Sequence, residues 1–158
     1  MISGSVRAPV LVLGLGNTLC GDDGVGPALI AELAPHSEEW AGRVELVDGG
    51  TQGLALLGVV AGRRAALILD AVALGGDPGT IHVLRQPNLA AHRAGSAHEG
   101  NAGELLAAAA LLGDLPGRLV ILGVEPQRIT TGAGLSEPVQ RALQPALARA
   151  LALIEELG

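Results

Sequence analysis

The chain has no lysine, phenylalanine or tyrosine, a single tryptophan and a single cysteine. Each gap removes a class of chemistry. Without lysine, neither a P-loop phosphate contact nor a Schiff base is available. Without phenylalanine and tyrosine there is no aromatic platform on which nucleic-acid bases could stack. All ten basic residues are arginine, against sixteen acidic ones, and the formal charge of -6 denies a phosphate backbone the positive surface it requires. No nucleic-acid partner is expected. The lone Cys20 can form no intramolecular disulfide and no cysteine-rich zinc site, which fits a reducing cytoplasm. Long apolar runs are lacking as well: the uncharged stretches at 8–21 and 49–62 are too short and too rich in glycine to span a bilayer. No membrane partner is expected. Arg7 and the apolar residues after it imitate a signal peptide, but glycine and asparagine interrupt the run and no small-x-small cleavage site follows. The segment reads as a first strand.

What is present is a chain of 158 residues, the length of one domain, whose apolar content is carried by alanine, leucine and valine. A single domain over 1–158 is expected, as a monomer. Short runs at Val10 to Leu15, Val44 to Asp48, Ala65 to Asp70, Ile81 to Leu84 and Leu119 to Gly123 read as strands. Val25 to Leu33, Leu54 to Ala61, Gly103 to Leu112 and Glu137 to Leu157 read as helices, with Pro145 a kink inside the last. Alternating strands and helices imply right-handed crossovers and hence a three-layer α/β fold. The expectation is a doubly wound, mostly parallel five-stranded sheet with helices on both faces. Asp77-Pro78-Gly79-Thr80 is a turn signal too close behind Asp70 to leave room for a helix, so Ile81 to Leu84 is the one antiparallel strand. Residues 85–102 are irregular and long enough to be functional.

The first strand runs into GLGNTLCGDDGVG at residues 14–26. Gly14 and Gly16 match the first two glycines of a dinucleotide loop, but Leu19 occupies the third position, and Asp22 and Asp23 would repel a pyrophosphate. One aspartate can cap the following helix; capping leaves the second unexplained. Of Asp22 and Asp23, one is expected to shape the helix start and the other to contact a cation. Asp70 closes the run AALILD at the carboxyl end of a central strand, where a charge must find a partner, a proton or a metal. In open parallel sheets, sites form outside the carboxyl ends of the strands, where the loop carrying Asp23 and the end of the Asp70 strand can converge. His98, just ahead of a helix that starts at that edge, is the candidate third member, with His92 as fallback. His36 and His82 read as structural or exposed. Two carboxylates and an imidazole suit a divalent transition ion such as nickel or zinc.

With these residues in view, the chain resembles the hydrogenase maturation endopeptidases over nearly its whole length. VLGLGNTLCGDDGVG resembles that family's strand-loop-helix opening, Val47-Asp48-Gly49-Gly50-Thr51-Gln52-Gly53 its second-strand turn, and Leu69-Asp70-Ala71-Val72 its third-strand end. Pro78-Gly79-Thr80, Ser96-Ala97-His98 and Gly123-Val124-Glu125-Pro126 follow in the same order. The resemblance implies a metal-dependent, aspartic-type hydrolase of the cytoplasm that removes a C-terminal extension from a nickel-iron hydrogenase large-subunit precursor after nickel insertion. It implies Asp23, Asp70 and His98 as metal contacts and Asp23 and Asp70 as the catalytic carboxylates. Asp23 stands where the family often has glutamate, a side chain longer by one methylene, and Glu99-Gly100-Asn101 replaces a more apolar stretch. The nickel is expected to arrive in the substrate, with zinc or cadmium able to substitute in a crystal. It recognises the loaded state, polarises the scissile carbonyl or lowers the pKa of an attacking water. Gly49 and Gly50 either admit the substrate backbone or make a tight turn. Two alternatives stand beside this reading: a thiol hydrolase built on Cys20, His98 and Asp70, and a non-catalytic nickel-sensing chaperone of the immature subunit.

Overall fold

Strands made almost entirely of leucine, valine, isoleucine and alanine must be covered on both faces, and this requirement sets the architecture. The computed structural model describes residues 7–87, 102–132 and 134–158. In it β1 (Val10–Leu15), β2 (Val44–Gly50), β3 (Ala65–Ala71), β4 (Ile81–Arg85) and β5 (Arg118–Val124) form one sheet in the order β2-β1-β3-β5-β4. β1, β2, β3 and β5 run parallel, and β4 runs antiparallel to β5. The expected α/β sheet is therefore present, with its one reversed strand. β4 does not pair with β3, the strand it follows in sequence, because β1 and β5 already occupy both edges of β3. Its connection instead crosses the end of β5, held by Val72 N–H to the Val124 carbonyl, Glu125 N–H to the Thr80 carbonyl and Gly79 N–H to the Glu125 carbonyl.

The two-residue period of the strands divides the core into two layers. Val10, Val12, Leu67, Leu69 and Leu122 point to one face, where α1 (Val25–Leu33) and α4 (Glu137–Leu157) cover them. Leu11, Leu13, Ile68 and Ile121 point to the other, under α2 (Leu57–Val60) and α3 (Ala102–Leu112). The single tryptophan, Trp40, is consumed in the first layer. α4 runs through Pro145 without interruption. That residue lies on the exposed face, where the carbonyl it leaves unbonded can meet water. The helix expected from Leu54 to Ala61 is shorter: a 3-10 turn over Gly53–Leu56 leads into a single α-helical turn. Gly53, at φ +55, opens the segment and Gly58 lies inside it, and both weaken helix. Among the described residues, no helix is long and apolar enough to cross a membrane.

Two glycines of the opening loop let α1 lie directly on the sheet. A β-carbon on Gly26 would stand 2.3 Å from the Leu15 carbonyl oxygen and 2.5 Å from that of Leu69; one on Gly14 would stand 2.5 Å from Ile30 Cγ1. The first turn of α1 thus rests on the ends of β1 and β3 together. This close approach brings the residues just before α1 to the edge at which β3 ends in Asp70.

Candidate active site

Asp70 is the sixth residue of the wholly buried β3 and has no solvent exposure. Its Oδ1 accepts the Ala71 N–H at 2.9 Å and its Oδ2 the Ala102 N–H at 3.1 Å. The second bond joins it to the first residue of α3, thirty-two positions away. A buried carboxylate needs such donors, since an unsolvated charge would otherwise cost several kcal/mol, about 2–7 even for a neutral polar group. Asp23 lies in a 3-10 turn over Gly21–Gly24 and is only 9% exposed. Its Oδ2 accepts the Asn17 N–H at 2.8 Å. Gly16, at φ +136, passes so close behind that a β-carbon there would sit 1.8 Å from the Asp23 carbonyl oxygen. Only glycine allows the loop to close in this way.

The turn that carries Asp23 contacts β3, so the structure gathers both expected aspartates at one edge of the sheet. His98 and its fallback His92 lie outside the described residues. Among the described residues, no three His, Cys, Asp or Glu side chains group as a metal-holding set. Cys20 sits in the same loop, half-buried; its carbonyl accepts the Asp23 N–H at 3.1 Å, and its backbone bridges to Gly132.

Asp22 does not do what its sequence position suggested. The N-cap of α1 is Gly24, and no side chain caps that helix. The Asp22 carboxylate, 1% exposed, turns instead to the segment between β5 and α4. It accepts Gln127 N–H at 2.8 Å, Arg128 N–H at 3.2 Å, Ser136 N–H at 2.7 Å and Ser136 Oγ–H at 2.7 Å. Burial alone would raise its pKa, but the donors from Ser136, Gln127 and Arg128 together hold it below the ordinary carboxylate value.

A matching arrangement, unforeseen in the sequence, follows Asp70. Glu125, 4% exposed at the end of β5, accepts Leu74 N–H at 3.0 Å and Gly76 N–H at 3.1 Å through Oε1 and pairs with His82 Nε2 at 2.8 Å. His82 is structural, as expected of it, and the residue it serves is Glu125. The sequence carried two signs that Glu125 matters, its place in the Gly123-Val124-Glu125-Pro126 segment and its position as an isolated glutamate immediately after the apolar run LVILGV, but neither named its partners.

Beside the opening loop is a cavity of ≈ 360 Å³, bordered by Thr18, Gly21, Gly24, Pro27, Asp48 and Leu135. Asp48, at the end of β2, brings a further carboxylate to this edge, with Gly50 N–H donating to its Oδ1 at 3.2 Å. Gly49 and Gly50 differ in kind. A β-carbon on Gly49 would meet Leu56 Cδ1 at 2.8 Å and Leu13 Cδ1 at 2.9 Å, so that glycine serves core packing. Gly50 has φ +52 and open space where a side chain would be.

This arrangement can be set against known proteins. Residues 27–153 match the family model of the HycI hydrogenase maturation proteases. The hydrogenase expression/formation protein HupM of Azotobacter chroococcum mcd 1 is 38% identical over 153 residues, covering 94% of this chain and 73% of its own. The hydrogenase 2 maturation protease of Escherichia coli (strain K12) is 35% identical over 153 residues, covering 94% and 92%. Among solved structures, the hydrogenase maturating endopeptidase HybD from E. coli superimposes with a TM-score of 0.80 at 33% identity, over 94% of this chain and 93% of that one. With the sheet order, the reversed fourth strand and this likeness along nearly the full length all in agreement, the chain belongs to the hydrogenase maturation protease family, a family of hydrolases.

Proposed function

We propose that the protein is a cytoplasmic endopeptidase that removes the C-terminal extension of a nickel-iron hydrogenase large-subunit precursor once nickel has been inserted. The observation that carries this reading is that the turn holding Asp23 packs against β3, the strand that carries Asp70, with both carboxylates buried, in a chain of this family. Asp23 and Asp70 contact the nickel seated in the precursor, and His98 completes the set. Four peptide steps separate His98 from Ala102, whose N–H binds Asp70. They span at most roughly 14 Å, so chain length alone permits an imidazole at residue 98 to serve this edge. The nickel belongs to the substrate and tells a loaded precursor from an empty one.

Docking through the metal places the scissile peptide beside the carboxylates, where proximity lowers the barrier. One aspartate accepts a proton from water as the water oxygen attacks the carbonyl carbon. The C–N bond then breaks, and the proton passes to the departing amine. The cavity beside Thr18 and Asp48 lies next to this point and offers room for the tail.

Mass spectrometry of a nickel-loaded precursor incubated with the protein tests the reading. A released C-terminal peptide, absent when the precursor lacks nickel, is the expected result. An intact precursor in both cases overturns the proteolytic role and leaves a chaperone. Loss of cleavage in Cys20→Ser would transfer the chemistry to the thiol.

A further inference from the structure

The segment from Glu125 to Ser136 contributes none of the expected ligands, yet it is fastened to the loop that carries Asp23 and to the loop that follows the Asp70 strand. Toward the Asp23 loop, the Asp22 carboxylate receives four donors from Gln127, Arg128 and Ser136, all at 3.2 Å or less. Backbone bonds run alongside: Gly21 N–H to the Gly132 carbonyl at 2.8 Å, Gly132 N–H to the Leu19 carbonyl at 2.8 Å and Asp22 N–H to the Arg128 carbonyl at 3.1 Å. Gly21 admits this contact because it has φ +56 and lacks a β-carbon, which would stand 2.9 Å from the Arg128 carbonyl oxygen. Toward the loop after Asp70, Glu125 takes the Leu74 and Gly76 N–H groups and pairs with His82. The segment is thus bolted at both ends, by one buried carboxylate pointing into it and another pointing out of it.

Helix capping accounts for neither carboxylate. Asp22 caps no helix at its own turn, and Ser136, the N-cap residue of α4, gives its hydroxyl to Asp22 rather than to the helix. A bond that merely ended a helix would be local. These bonds link residues 105 to 114 positions apart and terminate one residue before Asp23. We infer that residues 125–132 and 134–136 act as a brace setting the separation of the Asp23 and Asp70 carboxylates, and that Asp22 and Glu125 are positioning residues of the active site. This rests on the proteolytic reading above. A catalytic group displaced by about 1 Å can lose on the order of 100-fold in rate, so a brace of this kind acts on turnover more than on substrate capture.

The experiment uses the full chain and the nickel-loaded precursor, with kcat and KM taken from the released peptide. Asp22→Asn is expected to lower kcat about 10- to 100-fold with KM changed less than about threefold, and Glu125→Gln to act in the same direction. Leu153→Ala, which opens a cavity in the core of α4 away from the brace, is the stability control. It should lower Tm at least as far as Asp22→Asn while leaving kcat within about twofold, measured where each variant is folded. A folded Asp22→Asn protein with wild-type kcat overturns the inference. So does a Leu153→Ala protein that loses rate in the same proportion, or an effect confined to KM. Should the wild-type protein release no peptide, the proteolytic reading fails on its own. Amide hydrogen exchange then judges the brace: faster exchange at Gly21, Asp22 and Arg128 in Asp22→Asn upholds the latch, and unchanged exchange removes it.

Discussion

The two edges of the sheet treat buried charge in opposite ways. At the edge where the parallel strands begin, Arg63 is 6% exposed and donates to the Glu45 carboxylate at 2.6 Å, the Ala8 carbonyl at 2.8 Å and the Val59 carbonyl at 3.0 Å. Nearby, Arg85 and Arg118 both reach Glu156. Cation meets anion, and this edge is complete in itself. At the edge where the strands end, Asp22, Asp70 and Glu125 are buried, and the donors described above are N–H groups, a serine hydroxyl and one imidazole. The N–H and hydroxyl dipoles among them solvate a carboxylate without cancelling its charge. Among the described residues, the first edge joins its charges in ion pairs, whereas the second surrounds its carboxylates with hydrogen-bond donors.

The strongest break in this comparison comes from removing one group at each edge. Asp70→Asn should reduce processing more than about 100-fold while circular dichroism reports a retained fold, because the charge of the proposed ligand is lost; the amide oxygen keeps only one of the Ala71 and Ala102 N–H donors, and the donor left unpaired costs about 1–3 kcal/mol of stability. Arg63→Met should do the reverse. Leaving the Ala8 and Val59 carbonyls without their donor costs about 1–3 kcal/mol of stability, while the rate per folded molecule is kept. An Asp70→Asn protein that trims precursor at the wild-type rate would misplace the centre.

The sequence reveals what is local at each edge and hides what is distant. The strands are legible because a buried parallel strand is an apolar run, and Asp70 is legible because a charge closes one. The rejection of a nucleotide loop rests on Asp22 and Asp23 themselves, whatever the fold. The true use of Asp22 was not accessible, since helix capping is an equally good local account and its partners lie 105 to 114 residues downstream. Glu125 and His82 are 43 residues apart, on strands whose pairing depends on β4 crossing past β3. The glycines of the opening loop are recognisable as turn-formers, but their role in seating α1 appears only once Gly26 is known to face the Leu15 and Leu69 carbonyls.

That seating gives a sharper contrast of opposite sign. Gly26→Ala forces a methyl group against two strand carbonyls, at 2.3 and 2.5 Å, and should destabilise the protein by about 1–3 kcal/mol in urea unfolding. Processing should fall with it, because the turn carrying Asp23 leads directly into this helix. Gly58→Ala, in α2 with nothing within 4 Å of the new methyl, should instead stabilise by about 0.5–1 kcal/mol and leave processing unchanged. Equal effects from the two would mean that α1 is not packed on the strand ends.

The smallest expected difference lies between two glutamates at opposite edges, both with lowered pKa values. For Glu125, burial alone would raise the carboxyl, but the Leu74 N–H, His82 and the Gly76 N–H hold it below its ordinary 4.5. For Glu156, the hydrogen bond and charge of Arg85 act first, with Arg118 and Arg149 adding to them at an exposed site. A carboxyl with a depressed folded-state value binds a proton less readily than in the unfolded chain. Its contribution is therefore present above the unfolded value and is lost as pH falls through the folded one. Both contribute at neutral pH and fade below the ordinary 4.5. Glu125→Gln and Glu156→Gln should each flatten the acid limb of stability measured from about pH 7 to about pH 3. Salt separates them: at about 1 M ionic strength the Debye length shrinks to about 3 Å. The Glu156 contribution, carried by exposed arginines, should then largely disappear, while that of Glu125, carried by the Leu74 N–H, the close His82 contact and the Gly76 N–H at a buried site, should largely persist. If salt erased both alike, the Glu125 latch would be solvent-accessible, and the distinction between a self-neutralised edge and a dipole-solvated one would fail at that residue.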